Sequence, residues 1–361
     1  MKHDLMNYIV CPDCTEDLSL DIFIKEDTEI EEGLLLCRHC EMSFPIISGI
    51  PRILPEELLF SLVSNYGDFL VRHEKAGSKC TNLSIHDTDE KIAKGFEFEW
   101  QRHSKILPEH EKEFLHVLGD VLPVEQIKDN LILDAGCGQG RFSYFMHKYG
   151  AKKIIAFDLG EQTLLAKKNL RECENVHIVQ ASIYHLPFKP LFNLITSIGV
   201  IHHLPEPEKG FRELYNLLES NGKIFIWVYA HSSIIPVIRF LRRLTLNRTL
   251  RFNRTLSFFL AIPLYLINQF YNLVKIIPYF KKFADLIPFH MYHDRGFSNI
   301  WTISFDKINS SIAFYYKRED LQEWLDRLNN KKSGILSERY PGKSGSSWRL
   351  MAEKEGALIE K

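Results

Sequence analysis

Three kinds of hydrophobic patterning divide the chain. Between residues 18 and 36 apolar and polar positions alternate: Leu18, Leu20, Ile22 and Ile24 predict one strand, an acidic stretch ending in Gly33 the turn, and Leu34–Leu36 the return strand. From residue 131 the pattern changes to short, wholly apolar runs: LILDA, IIAFD (ending at residue 158), VHIVQA (176–181), FNLITSIG (192–199) and KIFIWVYA (223–230). Segments of helical character at 141–150, 160–173 and 207–219 separate them. Such alternation predicts a parallel sheet with helices on both faces. Near the end, Leu321, Trp324, Leu325 and Leu328 share one helical face, and SGILSERYPG and SSWRLMAEK read as two closing strands around a Gly/Ser turn.

The segment between the fifth apolar run and that last helix follows neither rule. Residues 236–254 carry Arg239, Arg242, Arg243, Arg248, Arg251 and Arg254, and residues 255–274 contain no charge. Twenty uncharged residues reach the length of a membrane span, but Pro263, Asn268, Gln269 and Asn272 interrupt them. The reading placed first is a lid of buried helices. An interfacial element making peripheral membrane contact through residues 236–282 comes second, and a true span third. A cationic lid fits an anionic or lipid-linked substrate. The expected organisation is a small β unit over 1–55, a linker and helical cover over 56–124, an α/β core over 125–230 and 318–355, and a helical insertion over 231–317.

Composition changes this picture in two places. With 45 Lys+Arg against 46 Asp+Glu the formal net charge is −1, so no global basic field advertises nucleic acid. The balance is uneven, however. Residues 1–60 hold 13 acids and 4 Lys+Arg, a charge that repels phosphate and makes a nucleic-acid partner the less expected one, whereas 231–290 hold 9 Lys+Arg and only Asp285 as an acid. The N-terminus lacks a basic segment followed by an apolar one, so no signal peptide is expected and the location expected is cytoplasmic. Seven cysteines in that setting point to metal or free thiols.

Four of those cysteines form two CxxC pairs, Cys11–Cys14 and Cys37–Cys40, 22 residues apart. Each pair turns two sulfurs toward one ion, and two pairs complete a tetrahedron around structural Zn²⁺ with no open coordination position. A unit of about 50 residues needs such a staple. In the core, LILDAGCGQGRF places Asp134 at a strand end and Gly136, Gly138 and Gly140 in the following turn, where missing Cβ atoms let a ligand approach the backbone. Asp158 ends the next strand, placed to accept the protons of two ribose hydroxyls.

These motifs resemble known families. LMNYIVCPDC…LLLCRHCEMSFPIISGIPRIL (residues 5–54) is similar to the Trm112-like zinc ribbon, a domain that accompanies methyltransferases. The string from Leu131 to Phe142 resembles motif I of the class I S-adenosylmethionine-dependent methyltransferases, and its G-x-G-x-G spacing departs from the G-x-G-x-x-G of dinucleotide dehydrogenases. Residues 180–188 and 192–230 continue the resemblance, which implies an α/β, Rossmann-like sheet of seven strands, mostly parallel with an antiparallel last strand, carrying a small N-terminal β zinc ribbon and a helical insertion. It further implies S-adenosylmethionine contacts at Asp134, Gly136, Gly138, Gly140, Asp158, Leu159, Ser182 and Ile183. Ala181-Ser182 stands where the family usually has an acid for the adenine amine. Trp100 and Arg102, in a segment similar to one found in fused ribbon methyltransferases, are expected at the cofactor's methionine end.

Methyl transfer to a hydroxyl needs a base of near-neutral pKa, and His202 and His203, directly after the fourth strand, are the catalytic candidates. Tyr292 and His293, with Asp294, form a second ionisable cluster expected on the substrate side. No Asn/Asp-Pro-Pro-Tyr signature follows the fourth strand, which favours an O-methyl acceptor. The function expected first is methyl transfer to a hydroxyl of a small or lipid-linked molecule, a sugar or secondary metabolite. A tRNA, rRNA or protein methyltransferase is the alternative, and a non-catalytic scaffold the third.

Overall fold

The computed structural model describes residues 1–55, 58, 65–69, 71–73, 105–231, 235–246, 248–277, 296–310, 312–328, 335–336 and 347–355. The ribbon consists of strands β1 (Ser19–Glu26), β2 (Glu29–Leu36), β3 (Ser43–Ile47) and β4 (Ile50–Ile53), all paired antiparallel in sequence order. Asp27 and Thr28, inside the acidic stretch that ends in Gly33, make the first turn, and the rest of that stretch, from Glu29, belongs to β2. Gly33 lies within β2 opposite Ile22, where a Cβ would stand 2.7 Å from the Asp21 carbonyl oxygen. Ser48 and Gly49, both at positive φ, make the β3–β4 turn, the conformation that matches the twist of a two-residue hairpin.

After helix α1 (His110–Leu118), the core runs β5 (Leu131–Ala135), α2 (Arg141–Lys148), β6 (Lys153–Asp158), α3 (Gln162–Asn169), β7 (Val176–Ala181), β8 (Phe192–Ile198), α4 (Pro207–Asn216) and β9 (Leu218–Tyr229). Helices α5 (Ile235–Thr245), α6 (Leu250–Ile276) and α7 (Phe297–Asn309) form the insertion, and α8 (Arg318–Asp326), β10 (Ile335–Leu336) and β11 (Ser347–Glu353) close the chain. The core strands lie in the order β7-β6-β5-β8-β9-β11-β10, parallel up to β9, with β11 antiparallel to β9. Neighbouring residues face opposite sides: Leu133, Ile155 and Ile195 pack into one apolar cluster, and Ile132, Ile154 and Leu194 into another. Burial on both faces explains why these strands read as unbroken apolar runs.

The ribbon is not a separate bead. β4 pairs in parallel with β7, Arg52 opposite Gln180 and Ile53 opposite Ala181, so both units share one sheet of 11 strands. The same apolar cluster contains Ile9, Phe44 and Ile46 of the ribbon together with Phe157, Val179 and Phe188 of the core. The ribbon's acids face basic groups across this seam. Lys167 meets Glu29 and Glu31, Lys153 meets Asp4, Lys189 meets Asp17, and His185 meets Asp13.

One buried cation fastens the seam. The Arg52 side chain is 0% exposed, and its Nη1 donates to Glu161 Oε1 (2.8 Å) and Gln180 Oε1 (2.6 Å). Its Nη2 donates to the Tyr66 hydroxyl (2.7 Å), which in turn donates to Glu161 Oε2 (2.5 Å). A buried charge is tolerated only when so satisfied, and deleting one partner leaves the other unpaired. Replacing Arg52 with Ala should therefore lower the unfolding free energy by about 3 kcal/mol in urea titrations. A loss below about 1 kcal/mol, the range of exposed pairs, would deny the network its role in holding the ribbon.

Candidate functional site

The glycine loop between β5 and α2 is shaped by contacts that only glycine permits. Gly136 (φ 79°) and Gly140 (φ 84°) are left-handed, and a Cβ on them would stand 2.3 Å from Val200 Cγ2 and 2.5 Å from Leu170 Cδ1. Gly138 is left-handed too (φ 55°). The Gly136 and Cys137 amides donate to the Phe157 carbonyl, which ties the loop to the end of β6. There, Asp158 Oδ2 accepts from the Gly138 amide (2.8 Å), and Oδ1 accepts from Gln162 Nε2 (2.5 Å) and from the Gly160 amide (3.3 Å). Burial raises the Asp158 pKa, while these donors oppose the shift.

The other acid has a different position. Asp134 is 2% exposed, and its two oxygens accept from Ser143 Oγ (2.5 Å) and Thr196 Oγ1 (3.1 Å). It braces the loop from below, through α2 and β8. Leu159 lies beside Asp158, and its carbonyl accepts from Gln180 Nε2 (2.9 Å), so the Arg52–Gln180 contact reaches the residue next to the acid. Ser182 and Ile183 follow β7, both buried, and Ser182 Oγ accepts from the Tyr184 amide.

The two histidines separate into different roles. His203 Nδ1 donates to the Ile312 carbonyl (2.7 Å) and lies 2.9 Å from Ser310 Oγ, which fastens the loop after β8 to the return strand from the insertion. His202 is 0% exposed, and neither ring nitrogen has a hydrogen-bond partner among the described residues. Its ring centroid lies 3.9 Å from that of Tyr229, whose hydroxyl donates to Asp306 (2.6 Å) and whose face stacks on Tyr315. Burial, then the charges of His203 and Arg242, push the His202 pKa well below the ordinary imidazole value, so the ring is neutral at pH 7.

The four Sγ atoms of Cys11, Cys14, Cys37 and Cys40 lie within 4.8 Å of one another, a donor set suited to one tetrahedral Zn²⁺. Trp100, Arg102, Tyr292, His293 and Asp294, expected at the cofactor or the acceptor, lie outside the described residues. The expected lid of buried helices is only half buried. α6 turns Asn253, Ser257, Ala261 and Asn268 inward and leaves Phe252, Phe259, Leu266 and Phe270 exposed. By length and composition α6 would be long enough to cross a membrane. Arg52, Tyr66, Glu161 and Gln180 were missed. The available signal was an arginine inside the apolar phrase Ile50–Leu54, since a cation in a buried strand needs partners.

Comparison with known proteins agrees with this geometry. Residues 133–226 match the methyltransferase domain family and residues 2–49 the Trm112p-like protein family. The chain thus carries a methyltransferase domain of the S-adenosylmethionine-dependent kind, joined to a Trm112p-like ribbon with a four-cysteine site. An uncharacterised protein of Synechococcus is 35% identical over 105 residues (27% of this chain, 25% of the relative). The tRNA U34 carboxymethyltransferase of Ruthia magnifica is 27% identical over 107 residues (28% and 34%). The chain therefore spans about a quarter to a third of these relatives' length. Among solved structures, the magnesium protoporphyrin IX methyltransferase of Synechocystis with bound S-adenosylhomocysteine is 13% identical, with 83% of this chain and all of that one covered, at a TM-score of 0.37.

These matches overturn the expectation of a small or lipid-linked acceptor and of no nucleic acid: relatives from Ruthia, Vibrio and Campylobacter are named tRNA U34 carboxymethyltransferases. Five of the 13 acids counted in the ribbon segment, Glu29, Glu31, Asp4, Asp13 and Asp17, are paired with basic groups of the core, so the tally along the chain overstates its free negative charge.

Asp134 supplies a pH signature. Burial, reinforced by the charge of Asp158 and opposed by its two hydroxyl donors, raises its pKa to about 6. The folded chain then binds a proton more tightly than an unfolded carboxyl does, so this group's contribution makes stability fall as pH rises from about 4 to about 6. The loss amounts to about 2–3 kcal/mol. In urea unfolding across that window, Asp134→Asn should gain on the wild type by that amount; parallel pH profiles would contradict the assignment.

Proposed function

We propose that the chain transfers a methyl group from S-adenosylmethionine to a base or hydroxyl of RNA, with tRNA the substrate class, in the cytoplasm. The observation that supports this reading is that tRNA U34 carboxymethyltransferases of Ruthia and Vibrio are 26–27% identical to this chain over 107 and 126 residues, beside a methyltransferase-family match over residues 133–226 that contains the glycine loop and Asp158. The residues present fit the cofactor. The loop is closed to any Cβ at Gly136 and Gly140, and Asp158 gathers backbone and side-chain donors at the strand end where ribose hydroxyls would join them. Asp158, Gly138 and Leu159 would hold the nucleoside, with Ser182 and Ile183 bordering its base. When bound, the sulfonium supplies an electrophilic methyl group.

The protein's share of the chemistry in this reading is placement. Holding the acceptor in line at roughly 3 Å provides most of the acceleration. His202 orients the acceptor: its lowered pKa keeps it a neutral hydrogen-bond acceptor, neither ring nitrogen is bonded among the described residues, and the Phe314 amide holds it by donating to its carbonyl. His203 positions the loop.

Incubating the full chain with unmodified tRNA transcript and labelled S-adenosylmethionine should transfer label, and nuclease digestion with mass spectrometry would distinguish a methyl from a carboxymethyl addition. Asp158→Ala should abolish calorimetric binding of S-adenosylhomocysteine. His202→Gln should retain that binding and lower kcat by roughly 10²-fold or more. Cofactor binding without transfer to any tRNA would count against RNA as the acceptor.

A further inference from the structure

The side of the site formed by the insertion has a composition that the cofactor does not explain. From residue 235 to 277 the chain contains Arg239, Arg242, Arg243, Arg248, Arg251, Arg254 and Lys275 and no acid. Two of these arginines are structural. Arg242 donates to the Lys307 carbonyl and the Tyr315 hydroxyl, and Arg254 lies over the Trp301 ring at 4.2 Å. The other four arginines are exposed on α5 and at the start of α6, and none forms an ion pair among the described residues. Between them stand two exposed rings, Phe240 at 61% and Phe252 at 47%, with Arg248 over Phe252 at 5.7 Å.

This surface adjoins the acceptor side. α5 starts a few residues beyond β9, and Arg242 on α5 holds Tyr315, which stacks on Tyr229 beside His202. The acid on the facing helix α7, Asp306, accepts the Tyr229 hydroxyl proton, and Lys307 on the same helix adds positive charge. Cations spaced along about three helical turns, with aromatic faces between them, are the arrangement that grips a phosphate backbone and stacks unpaired bases.

We infer that α5 and the first turn of α6 form the docking track for a single-stranded RNA loop, in which Arg239, Arg243, Arg248 and Arg251 contact phosphates and Phe240 and Phe252 stack bases. The inference rests on the reading of the chain as a tRNA-modifying enzyme and says where that substrate lies. A duplex offers no free base to the rings, so the track favours unpaired loops over helical stems.

The test is fluorescence anisotropy on the full chain with a labelled hairpin RNA carrying an unpaired loop, its fully paired counterpart, and unmodified tRNA transcript, over a series of KCl concentrations. The hairpin and tRNA should bind more tightly than the duplex. Arg239→Gln/Arg243→Gln and Arg248→Gln/Arg251→Gln should each reduce the slope of log K against log salt by about 1.4. Phe240→Ala/Phe252→Ala should weaken loop binding by roughly tenfold or more with the slope unchanged. Calorimetric binding of S-adenosylhomocysteine should stay at the wild-type value in all three, which reports an intact fold. Wild-type affinity and slope in the arginine variants, with label still transferred to tRNA, would overturn the track and leave the proposed function standing. A wild-type chain that binds no RNA would overturn both. A chain that binds phosphatidylglycerol vesicles through these residues, and RNA no better in their presence than in their absence, would overturn the track in favour of a lipid surface.

Discussion

A guanidinium sealed from water governs how the two halves of this protein relate. Arg52 comes from the last ribbon strand, yet its partners Glu161 and Gln180 belong to the start of α3, three residues past Asp158, and to β7. Burying a cation is unfavourable unless hydrogen bonds surround it, so the ribbon cannot move relative to the core without exposing or orphaning that charge. The parallel β4–β7 pairing and the shared apolar cluster hold it from either side. Because Gln180 also donates to the Leu159 carbonyl, the residue next to Asp158 is linked through one side chain to Arg52 of the ribbon. A zinc ribbon with a closed ligand set does no chemistry itself; here its contribution is mechanical.

The acceptor side is built on similar lines, from parts distant in sequence. The loop after β8, the end of β9, and the return from the insertion meet around His202 and His203, where Ile312, Ser310 and Phe314 supply backbone or hydroxyl partners. An imidazole whose pKa is pushed down by burial stays neutral and resists protonation. The basic surface lies outside this pocket, on α5.

Much of this was legible in the sequence, because local rules carried it. The double CxxC spacing, the apolar strand runs, the three glycines and the helix before the final hairpin all depend on neighbours a few residues away, and each appears where expected. Non-local pairings were not legible. The ribbon's turn was spread over the whole acidic stretch to Gly33, whereas Asp27 and Thr28 alone make it; Gly33 is required by the close Asp21 carbonyl on the facing strand, which only the register reveals. The position of Asp134 at a strand end was legible, but its partners Ser143 and Thr196, which come from α2 and β8, were not. The ribbon's negative charge was overcounted, because five of its carboxylates are paired with basic groups of the core. Whether a charge is free or paired is a property of the fold, and a tally along the chain cannot express it.

The central claim is that metal, ribbon and cofactor loop form one mechanical unit. Its most direct test is calorimetric titration of S-adenosylhomocysteine into matched samples of the full chain, zinc-replete and stripped by chelator, with the metal restored in a third. Cofactor affinity should fall sharply on stripping and return on restoration, in step with protection from hydrogen exchange at β4 and β7. Equal affinity in the stripped and replete protein, with β7 protected in both, would contradict the claim and leave the ribbon a passenger on the sheet.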